Sequence, residues 1–575
     1  MTAAMRVSPS SSTAEMDQAL SILQAHKREW ARLPVAEKHD LLLTLRANLA
    51  RYASRWVDLT VEGNELDPDS AWVGEVWAVG PWAFALGINS LLSSTAVLAK
   101  GQAPRPSKLW TRPNGQLVGQ VYPVDIYDRL LINDLRVEIW MQPGVTEENL
   151  ANHTAAFYKQ SDPPGEVCLV LGAGNVNSIP ALDLLHQFYV LGRVVALKMN
   201  PINDYLGPVL EDIFQPFIEA GYLRLLYGGG KVGAQLVDHG DVDLVHMTGS
   251  VQTYETIVFG PGAEGQARKE RLEPVCPKTV SCELGGVGPI IVVPGPWDDR
   301  DLQFQAENIA TIKLHNSGFN CVSGQVLVLP ETWERSEQLL EAVRYLMREL
   351  PPRPAYYPGS AERQQAVLQQ YPDAEQFGDS VPRTLVTGLD PEKDQYLFRE
   401  EVFGPVLGQV SLPGATPSEY LQNAVRFANE KLQGTLGVTL IIHPTTARKM
   451  GLVLETAVAD LRYGTIGINV WNGGAFLLPQ AVWGGYPGAN VYNIQSGHGF
   501  VHNSLMFDKA EKTVLRGSFY PFPRAWRHGD FHIAPKPAWF VTNKTANTTL
   551  ERVARLTMDP GPKYLPGIFA SALRG

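Results

Sequence analysis

The chain has 575 residues, of which 45% are hydrophobic and 19% are charged, as expected for a large globular protein with two or three domains. Its net charge of −10 argues against a basic surface for nucleic acid or anionic membranes. No run of about 20 apolar residues is expected to span a bilayer, and the polar start of the chain lacks a secretory signal. Four cysteines without metal-binding spacing predict neither a metal site nor disulfides, and they favour the reducing cytoplasm.

The N-terminal part of the chain is predicted to be mainly helical. Residues 1–18 are polar and are expected to form a flexible tail. Leucines recur at helix spacing after Pro34, which predicts a helical region over 15–60. Residues 70–100 are apolar and rich in tryptophan, which predicts a second helical region. Residues 102–145 combine Pro and Gly turns with short β-like runs.

From residue 166, short apolar runs alternate with helical patterns. The predicted strands cover 166–171, 194–198, 223–227 and 242–247, and the predicted helices cover 179–191, 208–219 and 231–238. Glycine-rich turns follow several strands, and Thr248-Gly249-Ser250 is expected to open the next helix. Buried strands that alternate with helices predict an α/β fold with a parallel sheet and right-handed crossovers.

A second α/β unit is predicted after residue 283. Its strands are expected at 289–293, 325–329 and 437–442, and its helices at 301–314 and 332–349. Glycines at 260–265 predict a surface loop, and 371–400 is expected to be rich in loops. The tail from residue 517 is rich in proline and aromatic residues, and we expect it to wrap over the body or over a neighbouring subunit.

A cysteine and a glutamate, each close to glycine in the sequence, carry the side-chain groups that acyl chemistry requires. Cys321 follows Asn316-Ser-Gly318, and Glu283 precedes Leu284-Gly-Gly286. Cysteine can attack a carbonyl to form a thioester, and a carboxylate can then activate water. A lone cysteine is more often an inert core residue, and a carboxylate at a strand end is commonly solvated. Cys282 is the rival thiol, but its carboxylate neighbour is expected to raise its pKa and reduce its reactivity.

Two further features lie at predicted strand ends, where open α/β sheets bind ligands. Lys198 ends a buried strand, although a lysine there can simply extend its charged end into water. Thr248-Gly249-Ser250 suits a phosphate at a helix start, but it is equally an ordinary N-cap. Gly172-Ala-Gly174 lacks the third glycine of a dinucleotide fingerprint and carries little weight.

Together these segments resemble the NAD(P)-dependent aldehyde dehydrogenase superfamily over roughly residues 20–515. The resemblance rests on five segments in the order of that family, of which ELGG and EEVFGP are the specific ones: Gly174-Asn175 through Lys198, Met247 to Ser250, Glu283 to Gly286, Asn316 to Cys321, and Glu400 to Pro405. It implies that Cys321 is the nucleophile, that Glu283 is the base for thioester hydrolysis, and that Asn175 helps to hold the oxyanion. Asn177 is the alternative to Asn175.

The resemblance also implies residues that bind the cofactor, NAD or NADP. Lys198 and Glu401 are implied to contact the riboses, and Phe403 the nicotinamide. The remaining implied contacts, near the phosphates, are Thr248, Gly249, Ser250 and Gly285. Asn469 resembles an asparagine near the substrate funnel, which Trp471 and Phe476 are expected to line. The resemblance implies four regions: a Rossmann-type cofactor domain (19–281), a catalytic domain (282–470), a segment that returns to the cofactor and oligomerisation region (471–516) and a C-terminal extension (517–575). It also implies an oligomerisation element near 120–165 and assembly as a homo-dimer or homo-tetramer.

The implied function is oxidation of a small-molecule aldehyde to a carboxylic acid. This sequence departs from the family pattern at three places: the asparagine loop is Gly174-Asn-Val-Asn177, Phe319 replaces the usual glutamine, and Pro201 replaces a residue that often selects NAD. A coenzyme A-dependent acylating dehydrogenase on the same fold is therefore one alternative. A family member that has lost catalysis is the other.

Overall fold

The computed structural model describes residues 9–378 and 381–575, so the first eight residues of the predicted tail lie outside it. The elements before residue 166 are α1 (Thr13–Arg32), α2 (Val35–Gly63), α3 (Val73–Trp77), α4 (Ala83–Leu98), β1 (Lys108–Thr111), β2 (Leu117–Tyr122), α5 (Ile126–Leu131) and β3 (Arg136–Met141). Ser12 and Glu15 form a capping box that starts α1. Residues 13–18 are therefore helical, and the tail prediction is wrong there. Pro34 divides the predicted helical region in two.

Helices α3 and α4 are joined by a π-helical turn at Ala78–Trp82, so that Val73–Leu98 forms one bent apolar helix. Gly80, with φ −105° and ψ −105°, marks the bend. By length and composition this helix could cross a membrane, so the expectation that no such run exists is wrong. However, 78% of its most apolar window is buried inside the protein, as in the core helix of a globular domain.

The first α/β unit contains a five-stranded parallel sheet. Its elements are β4 (Val167–Leu171), α6 (Ile179–Leu185), β5 (Val194–Lys198), α7 (Gly207–Ile213), α8 (Gln215–Glu219), β6 (Leu223–Leu226), α9 (Gly230–Asp238), β7 (Leu244–Gly249), α10 (Val251–Phe259), α11 (Gly262–Glu270) and β8 (Val280–Leu284). The strand order is β6-β5-β4-β7-β8. The structure thus confirms the predicted α/β fold with its Rossmann-type sheet.

Three details of this unit differ from the sequence predictions. Thr248 and Gly249 close β7 instead of opening a helix, because their backbone groups pair with β8. The glycine-rich segment 260–265 is only partly a loop, since α11 begins at Gly262. The predicted domain boundary at residue 282 falls inside β8, which hydrogen bonds along β7 as part of the five-stranded sheet.

The second unit follows β8 and extends to the C-terminus. Up to residue 477 its elements are β9 (Gly288–Val292), α12 (Asp299–Leu314), β10 (Gly324–Pro330), α13 (Ser336–Glu349), α14 (Ser360–Gln370), β11 (Glu375–Phe377), β12 (Arg383–Leu389), α15 (Tyr396–Arg399), β13 (Val406–Leu412), α16 (Pro417–Lys431), β14 (Gly437–Ile441), α17 (Pro444–Met450), α18 (Leu452–Asp460) and β15 (Thr465–Ile468). The last elements are β16 (Trp483–Gly484), β17 (Phe500–His502), β18 (Ala510–Arg516), α19 (Arg524–Arg527), α20 (Ala546–Met558) and α21 (Leu565–Ala572).

Eleven strands form the second sheet, in the order β1-β2-β3-β18-β15-β14-β9-β10-β13-β12-β11. The central strands are parallel, whereas β1, β2 and β3 are antiparallel and join the sheet through β18. The region 371–400, predicted to be loop-rich, also contributes β11 and β12 to one edge, so that prediction holds only in part. The segment predicted as an oligomerisation element therefore continues the large sheet of its own chain.

The C-terminal extension packs over the body of its own chain. Helix α20 crosses α3 so closely that a Cβ on Gly74 would lie 2.5 Å from the Ala546 carbonyl carbon. Asn89 Nδ2, on α4, donates to the Thr557 carbonyl at 2.8 Å. The extension thus covers the same apolar helix that the structure buries at Val73–Leu98.

Candidate active site

The carboxyl edge of the five-stranded sheet gathers most of the predicted site residues. In the register of this sheet, Leu171 pairs with both Lys198 and Met247, and Thr248 pairs with Glu283. Asn175 follows β4 at the same edge. Because parallel strands end together, residues far apart in sequence come to one crevice, where open α/β sheets bind their ligands.

Cys321 lies after a tight left-handed turn at the end of α12. Asn316 and Ser317 have φ values of 54° and 53°, a conformation that costs energy in residues with a Cβ. Gly318, with φ 79°, lies so close to the next segment that a Cβ there would be 2.4 Å from the Gly404 carbonyl oxygen. The turn therefore fixes residues 316–321, called the nucleophile loop after the predicted role of Cys321, against the EEVFGP segment. The sequence motifs alone did not reveal this contact.

Cys321 and Glu283 lie against each other, and each affects the pKa of the other. Burial raises the pKa of the Glu283 carboxyl to about 7. Burial, together with the Glu283 and Glu401 carboxylates, raises the pKa of the Cys321 thiol well above its usual value. Trp483 Nε1 donates to Glu283 Oε1 at 3.2 Å, while Oε2 is buried without a hydrogen bond among the described residues. A protonated thiol thus faces a carboxyl that changes charge near neutral pH.

Asn175 contacts the nucleophile loop directly, whereas Asn177 does not. The Asn175 side-chain amide donates to the Phe319 carbonyl at 2.9 Å, and the Asn316 amide donates to the Asn175 carbonyl at 3.1 Å. Asn177 is buried and donates to Thr60 Oγ1 at 2.7 Å. Its amide therefore supports the fold on the far side from Cys321. The oxyanion role of Asn175 stays a prediction, and its amide has a second N–H for that role.

An apolar cavity of about 290 Å³ opens beside Cys321. Trp471 and Phe476, both predicted to line the substrate funnel, contribute to its wall. Asn469 is outside the wall, because its Oδ1 accepts a hydrogen bond from the Ile442 N–H at 2.8 Å. Trp471 also donates from Nε1 to the Val322 carbonyl at 3.1 Å, which ties the cavity wall to the segment just after Cys321.

Comparison with known proteins agrees with this geometry. Residues 152–366 match the model of the aldehyde dehydrogenase family, a range that includes Asn175, Lys198, Glu283 and Cys321. Over these residues the chain is similar to the aldehyde dehydrogenase family.

Two curated relatives show how distant the similarity is. The chain is 28% identical to an aminoacetaldehyde dehydrogenase of Pseudomonas aeruginosa over 57% of this chain and 66% of that protein. It is 26% identical to an N-succinylglutamate 5-semialdehyde dehydrogenase of Caulobacter vibrioides over 49% of this chain and 60% of that protein. The chain thus matches less than two thirds of the length of either relative.

Solved structures of the superfamily share the fold over most of the chain. An NAD-dependent aldehyde dehydrogenase from Sinorhizobium meliloti superposes with a TM-score of 0.58 at 19% identity, covering 90% of this chain and 89% of that one. Lactaldehyde dehydrogenase from Escherichia coli gives a TM-score of 0.58 at 18% identity, covering 88% and 92%. At this identity the similarity supports the fold and leaves the substrate open.

The residues that the superfamily resemblance assigns to the cofactor lie along the same crevice. Lys198 ends β5, where burial lowers the pKa of its ammonium to about 8 and the Asp204 charge opposes that shift. Gly249 and Ser250 are exposed at the start of α10, and Ser250 caps that helix by accepting from the Thr253 N–H at 3.2 Å. Thr248 points away from this opening, since its hydroxyl donates to Asp183 at 3.4 Å.

Glu401 meets the glycines of the ELGG segment. A Cβ on Gly285 would lie 2.0 Å from Glu401 Oε1, so only glycine admits this carboxyl. Burial and the Glu283 carboxylate raise the pKa of Glu401 to about 8, while the Gly286 N–H and Lys313 oppose that rise. The structure thereby explains why two distant glycine and glutamate motifs occur together in this sequence.

Phe403 belongs to an aromatic cluster beside the nucleophile loop. Its ring lies 5.9 Å from Phe319 and 4.9 Å from Tyr357, measured between centroids. Phe319, the residue that replaces the usual glutamine, thus packs against the predicted nicotinamide contact. Tyr356 extends the cluster at 5.3 Å from Phe319.

Sequence reasoning missed a buried support beneath the nucleophile loop. Glu75 on α3 accepts from the Asn316 N–H at 3.0 Å and pairs with the Arg353 guanidinium. The Tyr356 hydroxyl lies 2.9 Å from the Asn175 carbonyl oxygen and 3.0 Å from Asn316 Oδ1. Arg353 and Tyr356 sit in a proline-rich connection without periodicity, so no local pattern could have identified them.

Replacing Arg353 by methionine is expected to lower the free energy of unfolding by about 3–5 kcal/mol, because Glu75 would be left as a buried charge without its partner. Chemical denaturation would measure this loss. The double variant Arg353→Met/Glu75→Leu is expected to regain most of the stability, since no lone charge remains. Equal stability of the wild type and Arg353→Met would contradict the role of this ion pair.

Proposed function

We propose that this protein oxidises an aldehyde to a carboxylic acid with NAD+ or NADP+, through a thioester on Cys321. The observation that carries the proposal is the Cys321 thiol held against the Glu283 carboxyl at the end of an apolar cavity. A nucleophile, an adjacent base and a binding cavity are the parts that covalent acyl chemistry requires. The match of residues 152–366 to the aldehyde dehydrogenase family supports the same reaction class.

In the first step, the Cys321 sulfur bonds to the carbonyl carbon of the aldehyde and its proton passes to Glu283. The thiol is too weakly acidic to ionise by itself near neutral pH, because burial raises its pKa. The negative charge then moves to the former carbonyl oxygen. The second N–H of the Asn175 amide and the Cys321 backbone N–H are suited to hold that charge.

The residues at the carboxyl edge of the sheet fit a dinucleotide. The exposed start of α10 at Gly249 and Ser250 suits phosphate, and Lys198 and Glu401 suit ribose hydroxyls. Bound NAD(P)+ would supply the hydride acceptor that converts the Cys321 adduct to a thioester. Phe403 and the Phe319 ring would form the apolar side of the nicotinamide site.

Glu283 completes the reaction as the base for hydrolysis. The proton that Glu283 took from Cys321 first passes to bulk water, and the restored carboxylate then accepts a proton from the water beside the thioester. The hydroxide adds to the acyl carbon, the carbon–sulfur bond breaks, and the carboxylic acid leaves with Cys321 restored. A base held this close to the sulfur favours hydrolysis over acyl transfer to coenzyme A.

A panel of aldehydes with NAD+ or NADP+, followed by the absorbance of the reduced nicotinamide, tests this function. We expect turnover without coenzyme A and a carboxylic acid as the product by mass spectrometry. Turnover only when coenzyme A is added, with an acyl-CoA product, would contradict the hydrolytic step. The homo-dimer or homo-tetramer and the cytoplasmic location stay predictions.

The rate of thioester hydrolysis is expected to rise with pH up to about 7 and then to level off. The pKa of Glu283 lies above its usual value, so below pH 7 the carboxyl is mostly protonated and cannot accept a proton from water. Single-turnover measurements of the deacylation rate between about pH 5.5 and 9 would show this rise and the plateau above it. A rate independent of pH below 7 would contradict the assignment of Glu283 as the base.

A further inference from the structure

The cavity beside Cys321 is walled largely by aromatic and aliphatic side chains. The rings that surround it come from separate parts of the chain, namely Trp82, Tyr122, Trp471, Phe476, Trp483 and Trp539. Cys321 and Val322 lie on its wall, so the reacting sulfur opens into this apolar space. A predominantly apolar pocket with few polar groups selects ligands by the apolar area that they bury.

The C-terminal extension forms one wall of this cavity. Residues 534–539 line it, and so do Leu550, Val553 and Leu556 on α20 and Ile568 near the end of the chain. The extension is held in place there, because α20 packs closely on α3 and Asn89 bonds the Thr557 carbonyl. It is therefore part of the acyl-binding site and not an appendage remote from it.

The ionisable groups of the cavity wall have partners of their own. Asp128 accepts from the Val124 and Asp125 N–H groups, and Asp125 accepts from the Asp128 N–H. Lys536 pairs with Glu307 at 3.5 Å. Burial raises the pKa of Asp134, which favours its neutral form. No arginine lines the cavity within the described ranges. A carboxylate group on a substrate would therefore lose its water without gaining an unengaged cation.

We propose that the substrate is an apolar aldehyde with an extended alkyl or arylalkyl chain, and that residues 534–572 set this specificity. The inference rests on the proposed function, since it concerns the acyl group that Cys321 receives. The carbonyl lies at Cys321, and the chain extends along the wall that the extension provides. This substrate class differs from that of carboxylated semialdehydes, for which the wall supplies no unpaired cation.

A series of linear aldehydes from propanal to decanal tests the substrate class. We expect kcat/KM to rise roughly fourfold for each methylene that enters the cavity, and to level off when the cavity is full. A carboxylated semialdehyde of matched length is expected to be a poor substrate. A flat series, or a charged aldehyde as the best substrate, would overturn the inference while leaving aldehyde oxidation itself intact. No turnover of any aldehyde would instead refute the proposed function.

The variant Ala538→Trp tests the role of the extension, because Ala538 lines the cavity and is only partly buried. We expect the ratio of kcat/KM for decanal to that for propanal to fall about tenfold, since the indole occupies the space of the distal chain. Ala570→Trp is the matched control, because Ala570 is exposed on α21 and does not line the cavity. An unchanged ratio in Ala538→Trp, with the circular dichroism spectrum of the wild type, would overturn the role of the extension.

Discussion

Replacing Cys321 by alanine is expected to abolish aldehyde oxidation, with a loss of kcat of at least about 10⁴-fold. The reason is covalent: without the sulfur no adduct forms from which hydride can leave. The change removes one partly exposed atom at the end of a tight turn, so the fold should tolerate it. Steady-state formation of the reduced nicotinamide, with each active aldehyde, measures the loss.

Cys282→Ala is the matched control for this prediction. Cys282 is buried in β8 next to Glu283, and burial raises the pKa of its thiol to about 12. Unlike Cys321, it does not line the cavity, so no aldehyde reaches it and kcat is expected to stay within about threefold of the wild type. Full activity in Cys321→Ala, or loss only in Cys282→Ala, would contradict the assignment of the nucleophile.

Replacing Glu283 by glutamine is expected to trap the thioester on Cys321. Glutamine keeps the oxygen that accepts from Trp483 but cannot take a proton from water, so steady-state turnover should fall by about 10²–10⁴-fold. Acylation also slows, because the thiol loses its neighbouring base. High pH should restore acylation in the first turnover, because it ionises the thiol. It should not restore hydrolysis of the thioester. Mass spectrometry after mixing with aldehyde and cofactor should then detect the acyl-enzyme.

Glu400→Gln provides a control within the same chemistry. Glu400 precedes Glu401 in the EEVFGP segment but is exposed, so its amide should leave both acylation and hydrolysis unchanged. Added coenzyme A should release the acyl group from the Glu283→Gln variant, because an external thiol needs no water activation. Normal steady-state turnover in Glu283→Gln would assign hydrolysis to another group.

The parallel α/β organisation could be predicted because its signals are local, whereas the role of Cys321 as the nucleophile stays a prediction. The run 194–197 is continuously apolar, which is typical of a strand that is covered on both faces. The strand β5 indeed has the predicted bounds, 194–198. The supports of the site could not be predicted. Glu75 and Arg353 lie on opposite sides of the entire first unit in the sequence, and their pairing depends on tertiary packing. The contact between Gly318 and Gly404 could not be predicted either, because no periodic pattern in the sequence indicates it.

The errors in secondary structure also have physical causes. The strands β11 and β12 lie in a stretch of mixed composition, where β12 pairs with β13 and β11 pairs in turn with β12. Thr248 and Gly249 have the composition of a helix start, yet β8 offers hydrogen-bond partners that extend β7 through them. In each case a partner distant in sequence decides a local structure.

The pairing of β3 with β18 has a consequence for how this protein is made. Residues 136–141 leave the ribosome long before their partner at 510–516. Until then β3 and β15 each present an unpaired edge, a state prone to pairing with other chains. The extension emerges later still and closes the cavity wall. Nascent chains released before residue 516 should therefore aggregate, and those released before residue 534 should lack a complete substrate site.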